Sequence, residues 1–149
     1  MQSSVSPILI VAALAGILAL AAVVVGFRMR PAKQSRIALA ASLLPAFLML
    51  VLFYSLAIHM HQSLGSWPAS IGERGFPAPL VTHGSIATSY FTCLVLVSVF
   101  AWPVVFLLCV LIQRWRVCLY YLGVYALACL VCFGAMLLAP AQFLNWWWD

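Results

Sequence analysis

The stretch SIATSYFTCLVLVSVFAWPVVFLLCVLI, residues 85–112, contains no Asp, Glu, Lys or Arg. A helix rises about 1.5 Å per residue, so about 20 apolar residues cross the roughly 30 Å hydrocarbon core of a bilayer. This run is longer than that and demands tilt, a kink or an emergent end. A barrel strand would alternate apolar and polar residues over about ten positions, whereas here the apolar character is continuous. Every backbone N–H and C=O in hydrocarbon needs an internal partner, which leaves the α-helix. The stretch therefore reads as a transmembrane helix.

Three further runs repeat the pattern: PILIVAALAGILALAAVVVGF (7–27), IALAASLLPAFLMLVLFYSLAI (37–58) and VCLYYLGVYALACLVCFGAMLLA (117–139). None of them carries Asp, Glu, Lys or Arg. The composition agrees, with 67% hydrophobic and only 6% charged residues, where a soluble domain has about 25% charged. The expected fold class is all-α, an integral membrane bundle of four transmembrane helices forming one domain over 1–149. A secretory signal peptide places positive charge ahead of its apolar core. MQSSVSP has none, so the first run is expected to be a retained helix.

Orientation follows from the cations. Arg28, Arg30, Lys33 and Arg36 fall in the 28–36 connection, and Arg114 and Arg116 in the 113–116 connection. The long 59–84 connection holds only Arg74, beside Glu73. Lys and Arg are retained on the cytoplasmic side. The two short connections are therefore expected inside, and the 59–84 loop and both termini outside. This is the pattern of a multi-pass protein of a bacterial inner membrane, with the lipid bilayer as its first partner. The net charge of +5 comes from seven Lys/Arg against two Asp/Glu. These cations sit at the ends of apolar runs, not in a basic stripe with interleaved aromatics, so no nucleic-acid partner is expected.

The loop begins HMHQSLGSWPASIGERGF, residues 59–76. Gly65, Pro68, Gly72, Gly75, Pro77 and Pro79 oppose a long helix there, and PASIGE has room for one helical turn. Trp67, Ile71, Phe76 and Leu80 give the loop an apolar side, suited to the membrane surface or to folding over the helix ends. Trp67, Glu73 and Arg74 are its candidate functional residues. After Pro140 the tail AQFLNWWWD is expected to lie along the interface. There Trp146, Trp147 and Trp148 suit an aromatic belt or a docking surface for another subunit.

Helices in lipid associate by close backbone approach and by polar seams. Ala12, Gly16, Ala19 and Gly26 form one small-residue face of the first run, and Ala22 and Gly26 add a small-xxx-small pair. Ser85, Thr88, Ser89 and Thr92 make a polar stripe on the third, while Tyr54, Ser55 and His59 end the second. Pro45 and Pro103 are expected to kink their helices. They free the carbonyls of Ala41 and Val99, with Ser42 and Ser98 placed near those gaps.

Chemistry is sparse. The five cysteines, Cys93, Cys109, Cys118, Cys129 and Cys132, make an odd set for a disulfide framework, and they read as small hydrophobes in apolar surroundings. His59, His61 and His83 are the candidate metal or haem ligands. Two facing histidines would suit a b-type haem held between His59 and His83, and Met60 adds a soft thioether for copper. The plainer expectation is that these histidines hydrogen-bond loop carbonyls or the Ser/Thr seam. No catalytic residue stands out, because the chain lacks a nucleophile elbow, an H-E-x-x-H helix and paired carboxylates. The leading expectation is a small non-catalytic polytopic protein, a scaffold or accessory subunit of a membrane assembly. One alternative is a haem- or metal-binding redox protein using the three histidines. A second is a small oligomeric transporter, although the runs carry none of the intramembrane ionisable residues such proteins use.

Overall fold

A computed structural model describes residues 7–31, 33–68 and 75–148, and side chains among them apart from those of residues 7–15 and Leu18. Every regular element among the described residues is helical. Helix α1 is Pro7–Arg28 and α2 is Arg36–Leu64. Helix α3 is Ala78–Leu111, a short 3-10 turn follows at Gln113–Trp115, α4 is Cys118–Met136 and α5 is Ala141–Trp148. Helices α2, α3 and α4 are long and apolar enough to cross a membrane.

Two of these helices outrun their apolar segments. Helix α2 continues through His59–Leu64, and α3 starts at Ala78, ahead of the run at 85–112. The residues 59–84 expected as loop are thus partly helical. Polar side chains do not end a helix once it leaves hydrocarbon; a cap does. Gly65 sits at φ +66, and its N–H donates to the His61 carbonyl at 3.0 Å, the bond of a left-handed C-terminal cap. At the other side of the loop the Pro77 carbonyl accepts the Leu80 and Val81 N–H groups at 2.9 and 3.2 Å. At 29 and 34 residues, α2 and α3 are about 44 and 51 Å long, well beyond the roughly 30 Å of hydrocarbon.

By its contacts the chain divides into two compact units, one of Met1–Leu43 with Leu96–Ala128, the other of Leu44–Val95 with Cys129–Asp149. In the first unit α1 meets α4 through small residues. Ala22 is fully buried. A Cβ built on Gly26 would lie 2.6 Å from the Leu119 carbonyl oxygen and 3.1 Å from the Gly123 Cα. The two backbones therefore touch, the close approach by which helices pack in lipid. Ser35 caps α2: its Oγ accepts the Ala38 N–H at 3.3 Å, and its own N–H donates to the Tyr121 hydroxyl at 2.8 Å.

Pro103 is accommodated by a π-helical turn, Val97–Ala101, just before it. A wider turn relieves the conflict between a proline ring and the carbonyl four residues back. Ser98 and Ser42 do not turn to the freed carbonyls. Ser98 shares a 2.7 Å hydrogen bond with the Tyr125 hydroxyl, and Ser42 donates to the Ala38 carbonyl at 2.8 Å.

In the second unit a core of Phe53, Leu56, Met60, Leu80, Met136 and Phe143 is closed to solvent. Two tyrosines tie its helices together. The Tyr90 hydroxyl donates to the Pro45 carbonyl at 3.0 Å, and Tyr54 donates to the Ala135 carbonyl at 2.7 Å. Ala135 lies in the last turn of α4, and its carbonyl also accepts the Leu138 N–H at 3.1 Å. Tyr54→Phe is expected to destabilise the protein by about 0.6 kcal/mol, the average for interhelical hydrogen bonds in lipid, whose maximum is about 1.7 kcal/mol. The unfolding midpoint in detergent checks this, and an unchanged midpoint would show the hydroxyl contributes nothing.

The tail packs on this core. Helix α5 buries Phe143 completely, with its ring 5.0 Å from Phe53 and 5.9 Å from Trp67. Trp146 and Trp147 pack half-buried against the same cluster. Trp148 is the most exposed of the three, at 47%.

Candidate functional site

The candidate site grows from helical spacing. Ser55 and His59 are four residues apart on α2, so they share one face. His83 stands in the second turn of α3 and reaches both. Its Nε2 lies 3.1 Å from Ser55 Oγ, and its Nδ1 lies 3.0 Å from His59 Nδ1. The two imidazole rings are 5.3 Å apart and inclined at 36°. Both histidines are half-buried.

The proton positions follow from counting donors. Ser55 spends its single hydroxyl hydrogen on the Leu52 carbonyl, at 3.0 Å. Its oxygen is then an acceptor, and His83 must donate from Nε2–H. A neutral imidazole has one N–H, so His83 Nδ1 carries the lone pair. His59 must therefore donate from Nδ1–H, which leaves His59 Nε2 as the acceptor at the end of the row. The order of donation is His59 to His83 to Ser55 to the α2 backbone, with tautomers assigned by this network.

The other predicted residues are distributed differently. His61 points away from the pair: its ring meets Trp67 edge-on at 4.9 Å. Together with Ile58, Gln62 and Pro140 they line an open groove of about 360 Å³. Met60, considered as a copper ligand, is fully buried in the apolar core. Glu73 and Arg74, with most of PASIGE, lie outside the described residues. Arg28, Arg30, Lys33, Arg36, Arg114 and Arg116 are exposed. Among the described residues no disulfide joins the five cysteines.

The geometry bears on metal and haem chemistry. Nitrogen binds a metal such as zinc at about 2.0 Å, so two axial nitrogens on one ion stand about 4 Å apart. At 3.0 Å the two Nδ1 atoms are at hydrogen-bond spacing, and the rings would have to part to take a haem iron between them. Among the described residues no group of three His, Cys, Asp or Glu converges on a point. As built, the pair is a hydrogen-bonded couple.

Ser55 was visible in the sequence as part of a polar end to the second run, read as an interhelical hydrogen-bonding group. The signal for its role is its four-residue spacing from His59. The partner on α3 is set by tertiary packing, which no local pattern encodes. Compared with models of known families, with curated proteins and with solved structures, the chain matches none of them.

Proposed function

We propose that the chain is a four-span protein of a bacterial inner membrane and acts as a non-catalytic scaffold or accessory subunit of a membrane assembly. Its termini and the 65–77 connection face outward, and its two cationic connections face the cytoplasm. Helix α1 supplies the fourth span: it has 22 residues and packs on α4, itself apolar enough to cross. The cation distribution supports the orientation.

The observation that carries the reading is where the large apolar side chains point. Phe47 and Ile58 on α2, Phe100 and Leu111 on α3, and Val131 on α4 are all more than half exposed. Soluble monomers rarely expose contiguous apolar surface beyond a few hundred Å². Such faces suit lipid or the helices of a neighbouring subunit. Inside the second unit the space is filled by aromatic and aliphatic groups, which favours a structural part over a conduit.

Reporter fusions test the topology. A periplasm-active phosphatase is expected to be active after the 65–77 connection and after the C-terminus, and silent within 28–36 and 113–116. The reverse pattern would reject the orientation. Crosslinking in native membranes, followed by purification in mild detergent, tests the role. A reproducible partner subunit is expected, and a protein recovered only as a lone monomer would reject it.

A further inference from the structure

The histidine row ends on one unused acceptor, His59 Nε2, and its central bond joins two titratable rings. We propose that Ser55, His83 and His59 form a proton-operated latch between α2 and α3, kept closed by the first added proton and opened by the second. The first proton takes the lone pair of His59 Nε2. His59 is then an imidazolium, and its Nδ1–H still donates to His83 Nδ1, now as a charge-assisted and stronger bond. The second proton must occupy His83 Nδ1, the acceptor of that same bond. Two N–H groups then face each other across 3.0 Å with no acceptor between them, and two like charges share the site. The contact breaks, while the His83 Nε2–H bond to Ser55 alone remains.

The other titratable groups described on the neighbouring helices are engaged elsewhere. On α2, the His61 ring is turned to Trp67 and the Tyr54 hydroxyl to Ala135. On α3, the Tyr90 hydroxyl is engaged by Pro45. Helix α5, Ala141–Trp148, carries no titratable side chain. The chain's two carboxylates, Glu73 and Asp149, lie outside the described residues. The latch sits where α2 and α3 leave their apolar runs and joins the two arms that flank the 65–77 connection. On the proposed topology that is the outward face, whose pH varies with the medium. The assignment of the side rests on that topology, while the latch itself does not.

The test uses the three-histidine content of the full chain. Protein labelled with 15N-histidine in lipid nanodiscs gives a spectrum in which each ring is assignable. At pH 8, His83 is expected as the Nε2–H tautomer and His59 as the Nδ1–H tautomer, the minor form of free imidazole. On acidification the pair is expected to take up its two protons in separate steps, the second at His83 Nδ1, the acceptor of the shared bond. Amide exchange at 59–64 and 78–83, corrected for intrinsic pH effects, is expected to rise at the second step. Ser55→Ala keeps the imidazole pair and is expected to release the tautomer preference of His83 without loss of fold. In His83→Gln the exchange step disappears. Independent titration of His59 and His83 with free-imidazole tautomers overturns the pair. Coupled titration without an exchange step overturns the latch. Fusion reporters that contradicted the topology would leave both readouts unchanged, so the two failures are distinguishable.

Discussion

Replacing Gly26 is expected to break the contact between α1 and α4. A Cβ at Gly26 would stand 2.6 Å from the carbonyl oxygen of Leu119, and one at Gly123 would stand 2.9 Å from that of Ala22. Both obstacles are backbone atoms, so no side chain can swing aside. Overpacking typically costs about 1–3 kcal/mol and occasionally more, and a clash of backbone on both sides belongs at the upper end. Gly26→Ala is expected near the top of that range, and Gly26→Leu beyond it. Gly16 supplies the control, because a Cβ there meets nothing within 4 Å; Gly16→Ala should leave stability unchanged or slightly higher, given alanine's better helix propensity. The unfolding midpoint in detergent reads all three. Equal midpoints for Gly16→Ala and Gly26→Ala would mean that α1 and α4 are not in backbone contact.

That contact shows what was legible in the sequence. Ala22 and Gly26 stand out by composition, because a small residue every fourth position in an apolar run has few purposes other than close approach. Their partner Gly123 does not stand out, since nothing local says which helix will meet α1. The same division runs through the molecule. The uncharged runs identify α2, α3 and α4 as helices able to cross a membrane, because the bilayer's demand for internal hydrogen bonding leaves little choice. Their ends were misplaced, because hydropathy reports where hydrocarbon stops and caps report where helix stops. Gly65 was visible as a breaker, yet the helical state of HMHQSL before it depends on continuation from α2.

The prolines show a finer limit. Pro45 and Pro103 were both expected to bend their helices and to recruit the serine beside them. A π-turn precedes Pro103, whereas the carbonyl of Pro45 itself accepts the Tyr90 hydroxyl. Choosing between these outcomes requires knowing what stands across from each proline. The histidines follow the same rule. Their presence marks the end of the loop as the chain's most chemically capable region. The 3.0 Å bond between His59 and His83 exists only once α2 and α3 are antiparallel and in register.

The C-terminal helix offers the sharpest separation between local preference and tertiary support. Helix α5 has eight residues, and isolated helices shorter than about 12–15 residues are marginal in water. Its order therefore depends on docking, and Phe143 is the residue that docks it. The ring is fully buried and has Phe53, Trp67, Trp146 and Trp147 around it at 5.0 to 6.3 Å. Phe143→Ala is expected to cost about 3–5 kcal/mol, as for other buried phenylalanines. The effect should be more than a cavity. Loss of the anchor removes the support of α5, so Trp146 and Trp147 should become exposed together, with a red shift in tryptophan emission. Trp148→Ala tests the same helix from its open side. That ring is 47% exposed and touches Phe91 and Phe133 only at 5.7 and 6.2 Å, so its removal should shift the midpoint far less. If Phe143→Ala left both the midpoint and the emission unchanged, α5 would be held by something other than this core. If Trp148→Ala proved the more damaging, the exposed face of α5 would be engaged in the membrane, and the partner expected of an accessory subunit should be sought there.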